Sequence, residues 1–192
     1  MANKVRFGLE KAYYALIQDD GTYGTPVPLK GAVSLSLNAE GESKPFYADN
    51  CPYVTFSTNG GYTGELELAV FEDKDAQALL GEKTAANGIV YEDAAAQPKP
   101  FALLFETKSN VYDKRYAMYD CTLSRPSLEA NTTTDTTDPD TTTLAFTAIP
   151  HEMKIDGKDV KVTKGVIENS TETAAMFNSW YDAVQTPATA AA

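Results

Sequence analysis

Over residues 61–71 the side chains alternate strictly. Leu66, Leu68 and Val70 fall on one side and Glu65, Glu67 and Ala69 on the other, the two-residue period of a strand with one buried face. At Asp73 the period changes. Asp73 is the expected N-cap of a short helix, Ala76, Leu79 and Leu80 share one helical face, and Gly81 supplies the stop. An apolar run at 53–57 precedes Asn59-Gly60, so a hairpin is expected to join that run to the strand.

The remaining segments read mostly as further strands. Residues 12–18 form a first strand closed by the Asp19-Asp20-Gly21 turn, and Pro26 and Pro28 confine the next stretch to an extended connection. Residues 32–38 alternate again, with Val33, Leu35 and Leu37 inward and Ser34 and Ser36 outward. A short edge strand is expected at 89–91. Phe101-Ala-Leu-Leu-Phe is apolar on both faces, the mark of a central strand, and 112–124 is its antiparallel partner. After a Thr- and Asp-rich surface loop over 131–143, strand character resumes at 144–149, and a small hairpin is expected around Asp156-Gly157. The last segment changes type. Asn169 and Glu172 suggest a capping box, and Phe177, Trp180, Tyr181 and Val184 form a helical stripe, so a helix over 171–185 is expected. The fold class is therefore mainly β (α+β): an antiparallel sandwich or barrel with one short flanking helix and a C-terminal helix. One domain spans 1–192, with an arm at 1–11, a projecting loop or hairpin at 40–60, and a C-terminal extension at 151–192.

At 192 residues such a domain can bury roughly 70% of its unfolded surface. The formal charge of −11 changes the functional picture. It opposes docking on nucleic acid, whose phosphates demand a positive surface, and docking on anionic membranes. Residues 1–8 contain no apolar core of signal-peptide length, so synthesis in the cytoplasm is expected. Cys51 and Cys121 sit in separate strand-like segments without CxxC spacing. They read as small buried free thiols rather than metal ligands.

Catalytic chemistry finds little footing. His151 is the only histidine, and no Ser or Cys lies in a nucleophile-elbow context. Glu65 and Glu67 share a strand face with Cβ atoms about 7 Å apart, a spacing open to acid–base work, but alternating Glu is normally a solvated face. Asp135, Asp138 and Asp140 lack the glycine and terminal Glu of a calcium loop. The expectation is no enzyme, no metal and no cofactor.

Several stretches together resemble the major tail proteins of long-tailed, non-contractile bacteriophages. They are Lys4-Val-Arg-Phe-Gly-Leu-Glu-Lys-Ala-Tyr-Tyr-Ala, the segment from Gly24-Thr-Pro-Val-Pro to Leu37-Asn-Ala-Glu-Gly-Glu, Phe46-Tyr-Ala-Asp-Asn, Asn59-Gly-Gly-Tyr-Thr-Gly-Glu-Leu-Glu, Lys99-Pro-Phe-Ala-Leu-Leu-Phe-Glu and Thr122-Leu-Ser-Arg-Pro-Ser. They cover most of 1–150; the segment from His151 on matches less clearly. The resemblance implies a tail-tube protein, stacked as hexameric rings around a DNA channel and located in the virion tail after assembly in the bacterial host cytoplasm. It implies contacts with itself, with the tape measure protein and with tail terminator and baseplate proteins. DNA would pass without specific binding, and no membrane would be involved. It assigns the channel lining to Ser34, Ser36, Glu65, Glu67, Thr143 and Thr147. Aromatic residues outside the compact strand pattern, Phe7, Phe46, Tyr47, Tyr53 and Trp180, together with Asp49, are the expected subunit interface. The alternative is a carbohydrate-binding β-sandwich of a phage fibre or baseplate. That reading needs exposed aromatics clustered on loops, whereas most Tyr residues here lie in strand-like runs.

Overall fold

The computed structural model describes residues 5–128 and 140–187. Most of the Thr/Asp run, including Asp135 and Asp138, lies outside the described residues, as do 1–4 of the arm and 188–192 of the tail. The chain opens with β1 (Arg6–Leu16), β2 (Val27–Leu29) and β3 (Ala32–Glu40), then the pair β4 (Ser43–Ala48) and β5 (Cys51–Ser57), then β6 (Gly61–Leu68). Helix α1 (Asp73–Leu80) leads to the small pair β7 (Lys83–Thr84) and β8 (Val90–Tyr91). The long strands β9 (Phe101–Ser109) and β10 (Lys114–Leu123) follow, then β11 (Thr142–Ala148), β12 (His151–Ile155), β13 (Lys158–Val162), β14 (Lys164–Glu168) and α2 (Ala174–Asn178).

The fold is mainly β and antiparallel. Its main sheet runs β2-β1-β9-β10-β11-β6-β3, with β14 also paired to β10. β10 is the pivot. Its first half pairs with β14, its second half with β11, and a bulge between Met118 and Cys121 separates the two. The bulge adds local twist, and the sheet bends into a sandwich whose core lies between the two arms. Leu66, Leu68, Leu144 and Phe146 fill it from one side, and Phe101, Leu103, Phe105 and Met118 from the other. Leu79 and Leu80 of α1 plug one end. Each such side chain contributes about 1.5–3 kcal/mol by burial. The register places Gly64 opposite Phe146. A Cβ at Gly64 would stand 2.5 Å from the Phe146 ring, so a bare backbone is what lets that ring lie on β6.

Several expectations are corrected. The 53–57 run pairs with β4 rather than β6, because Asn59-Gly60 forms a corner instead of a two-residue turn. Gly60 N–H donates to Glu40 O at 2.7 Å and Gly61 N–H to the Asn59 side chain at 3.1 Å. β3 and β6 are thus the paired strands, and β4–β5 projects from their end. Val70 is exposed because β6 ends at Leu68. Val33 is exposed because the register shifts between Ala32 and Ser34. Most of the arm is strand: β1 pairs with β9 from Arg6 on, with shifts after Phe7 and Glu10 that break the alternation. Asp73 is the first helical residue, and Glu72 holds the N-cap without a side-chain bond, while Gly81 closes α1 in the left-handed conformation as expected. The C-terminal helix spans only Ala174–Asn178. Thr173 Oγ1 donates to Glu168 O instead of forming an Asn169 box, and Ser179 Oγ turns back onto Ala175 O. Such local side-chain bonds compete with helix continuation.

Candidate assembly surfaces

All six expected channel residues lie on one face of one layer. Ser34 of β3 is opposite Glu67 of β6, which is opposite Thr143 of β11; Ser36, Glu65 and Ala145 form the next row. In the third row Asn38, Thr63, Thr147 and Thr122 run across four strands. Asn38, Thr63 and Thr122 were not singled out from the sequence, although Asn38 and Thr63 follow from continuing the alternation by one step. These rows contain no Lys or Arg. Carboxylates and hydroxyls pair among themselves: Ser34 Oγ donates to Glu67 Oε2 at 2.8 Å, Thr141 Oγ1 to Glu67 Oε1 at 2.7 Å, and Thr63 Oγ1 to Glu40 Oε1 at 2.9 Å. The Thr141 and Ser34 hydroxyls hold the Glu67 carboxyl below its ordinary range, so Glu67 stays anionic at neutral pH. β3 is the last strand of the sheet and pairs only with β6, leaving an open edge beside this face.

The opposite layer wears a cover. Leu104, Ala117 and Tyr119 point outward from β9 and β10 and pack with Phe177, Trp180 and Ile167. Trp180 is 3% exposed and its indole N–H donates to Tyr116 O at 3.4 Å. This corrects its expected place at an exposed interface: the C-terminal segment packs on its own sheet. Beneath it lies a charge cluster built on the buried Glu106 and Arg115, with Lys108 and Lys11 partly exposed. Glu106 accepts from Arg115 Nε at 2.7 Å, Lys108 Nζ at 2.5 Å and Lys11 Nζ at 3.2 Å. Burial opposes the charged carboxylate, yet Lys108, Arg115 and Lys11 outweigh it and hold its pKa below the usual range. Arg115 also donates to Phe177 O and stacks over the Phe177 ring, centroid at 3.9 Å.

The remaining expected interface residues are exposed. Phe7 stands on β1; Phe46, Tyr47 and Tyr53 stand on β4–β5, Tyr53 at 73% exposure. Register puts Phe46 opposite Val54 and Lys44 opposite Phe56, so Phe46, Val54 and Phe56 share one exposed face, with Lys44, ion-paired to Glu42 at 2.7 Å, at its far end. Asp49 and Asn50 form the tip with φ of 51° and 62°. Cys51 beside them is an exposed free thiol, correcting the expectation that it is buried; Cys121 is buried and free. His151 Nδ1 lies 3.1 Å from Asp120 Oδ2, tying the start of β12 to β10. No described group of three or more His, Cys, Asp or Glu could hold a metal ion, and no described helix is long and apolar enough to cross a membrane. No protein-family model matches the chain, and no curated protein does.

Proposed function

We propose that the chain is a tail-tube protein of a long-tailed, non-contractile bacteriophage. It would stack as hexameric rings, and the rings would enclose the channel through which DNA leaves for the host. The observation that carries this reading is the cation-free polar face of β3, β6 and β11 beside an open sheet edge. An open edge offers unpaired backbone groups to a strand of a neighbouring copy. Rings closed in that way repeat one face around a common axis. Lined with hydroxyls and carboxylates, that axis gives phosphates nothing to pair with, because counterion release on binding requires Lys or Arg. The role is structural rather than enzymatic and needs no cofactor. Its partners are its own copies, the tape measure protein, and the tail terminator and baseplate proteins, in the virion tail after assembly in the host cytoplasm. The exposed apolar side of β4–β5 adds support, since uncovered aromatic clusters on a folded domain mark contact surfaces.

Negative-stain electron microscopy of the purified protein tests the proposal. Rings or tubes with a central channel are expected. Monomers at every concentration and salt, without rings, would overturn it.

A further inference from the structure

We infer that the apolar side of β4–β5 seats in a groove of a second copy of this chain, at the mouth of the sandwich. This rests on the self-assembly proposed above and names the receiving site. The groove, about 400 Å³, opens between β1, β9 and β10 on one side and β3 and β6 on the other. Leu9, Leu35, Leu37, Tyr62, Phe105 and Tyr116 line it, the last two stacked at 4.8 Å. Phe105 is buried, and the other five are partly buried side chains packed against the core. Leu35 and Leu37 alternate inward as a buried strand face should, yet both stay partly exposed at the groove.

The knob that fits is on the same molecule. Phe46, Val54 and Phe56 make a narrow, two-stranded, exposed apolar ridge whose far end carries Lys44, already paired to Glu42, an apolar counterpart to an apolar groove. Charge sets the register. Lys164 stands on the groove rim, its Nζ 3.2 Å from the Tyr62 hydroxyl and 5.0 Å from that ring's centroid. Among the described residues it forms no ion pair. Asp49, at the ridge tip, forms none either and is exposed. In a chain of net charge −11, an unpaired cation beside an apolar groove selects an acidic tip over a neutral one. Knob and groove are different surfaces of one copy, so a copy can offer its knob to one neighbour while its groove receives another's, and the contact can propagate from copy to copy.

Cys51, exposed two residues from Asp49, supplies the test. A Thr107→Cys variant puts a thiol in the groove, and a Thr147→Cys variant puts one on the polar face as a control. Both are treated with diamide and analysed by peptide mass spectrometry of disulfides. In the assembled Thr107→Cys fraction, a disulfide is expected from Cys51 of one copy to the groove thiol of another. In the Thr147→Cys control, no disulfide from Cys51 to the polar-face thiol is expected. Adding Lys164→Glu to the groove variant should lower the yield of the link about two- to fivefold, as for loss of an exposed ion pair. Adding Asp49→Lys to that background should restore it. Assemblies without the link from Cys51 to the groove thiol, or a link indifferent to both charges, would overturn the groove and leave self-assembly standing. Monomers alone, unlinked, would overturn both.

Discussion

The two outer faces of this sandwich are built on the same kind of inner strand and meet opposite fates. Strands β9 and β10 turn Leu104, Ala117, Tyr119 and the Glu106–Arg115 pair outward, and a second layer of aromatic residues buries them. Strands β3, β6 and β11 turn Ser, Thr and Glu outward, and no second layer among the described residues covers them. A strand buried on both faces loses its alternation, while one buried on a single face keeps it. The difference therefore separates a face that the chain itself covers from one left to its surroundings. It also predicts where the molecule is fragile.

The largest effect should come from the covered face. Glu106→Gln leaves the buried Arg115 guanidinium without its anion, while Lys108 keeps Asp113 at 2.9 Å and Lys11 is partly exposed. Breaking a buried pair from one side costs about 3–5 kcal/mol. Denaturant unfolding at pH 7 should register a loss of that size, and Glu106→Leu with Arg115→Met should recover much of it. The pH dependence has a definite sign. The folded carboxyl titrates below its ordinary 4.5, so its contribution is complete above that pH and is lost as pH falls through the lowered value. The gap between wild type and Glu106→Gln should thus close on acidification; a gap constant down to pH 2 would show that charge is not what Glu106 supplies.

How much of this was legible in the sequence follows from the same contrast. Alternation in β6 and β11 placed Glu65, Glu67, Thr143 and Thr147 on one face, because a one-sided strand writes its orientation into every second residue. The run Phe101–Phe105 announced a central strand, and Asp156-Gly157 a hairpin. What failed were the places where backbone irregularity overrides period. Bulges in β1 hid a strand inside the arm, and one in β3 turned Val33 outward. Ser179 cut short a helix whose stripe of Phe177, Trp180 and Tyr181 looked continuous. Trp180 was misplaced for a related reason: an amphipathic terminal segment looks the same whether it covers its own sheet or a neighbour's. The charge cluster under it was invisible, since Glu106 and Arg115 are nine residues apart and meet only through the β9–β10 register.

A smaller and more local effect separates the inner from the outer side of a single strand. Leu144 is buried in the core and Thr143 beside it is exposed. Leu144→Ala should cost about 2–5 kcal/mol, as transfer and cavity terms add. Thr143→Ala should stay within about 0.5 kcal/mol, since it removes only exposed surface. Equal losses in thermal or denaturant unfolding would mean that the polar face is packed against something in the monomer.

The smallest effect on stability should come from the bare face itself, where it separates folding from function. Glu65 is exposed, and Glu67 is held only by hydroxyls. Changing both to Lys should therefore alter unfolding by less than about 1 kcal/mol in total. If the face lines a channel, the consequence lies elsewhere. Each ring would gain cations facing the axis, and each cation that meets a phosphate adds a salt-dependent attraction. Rings and tubes should still form, because neither residue lies on the β3 edge or on β4–β5. DNA release from particles built with this variant should slow, most strongly at low ionic strength, and recover as salt screens the contacts. Release as fast as wild type at every salt concentration would put Glu65 and Glu67 on the outside of the tube.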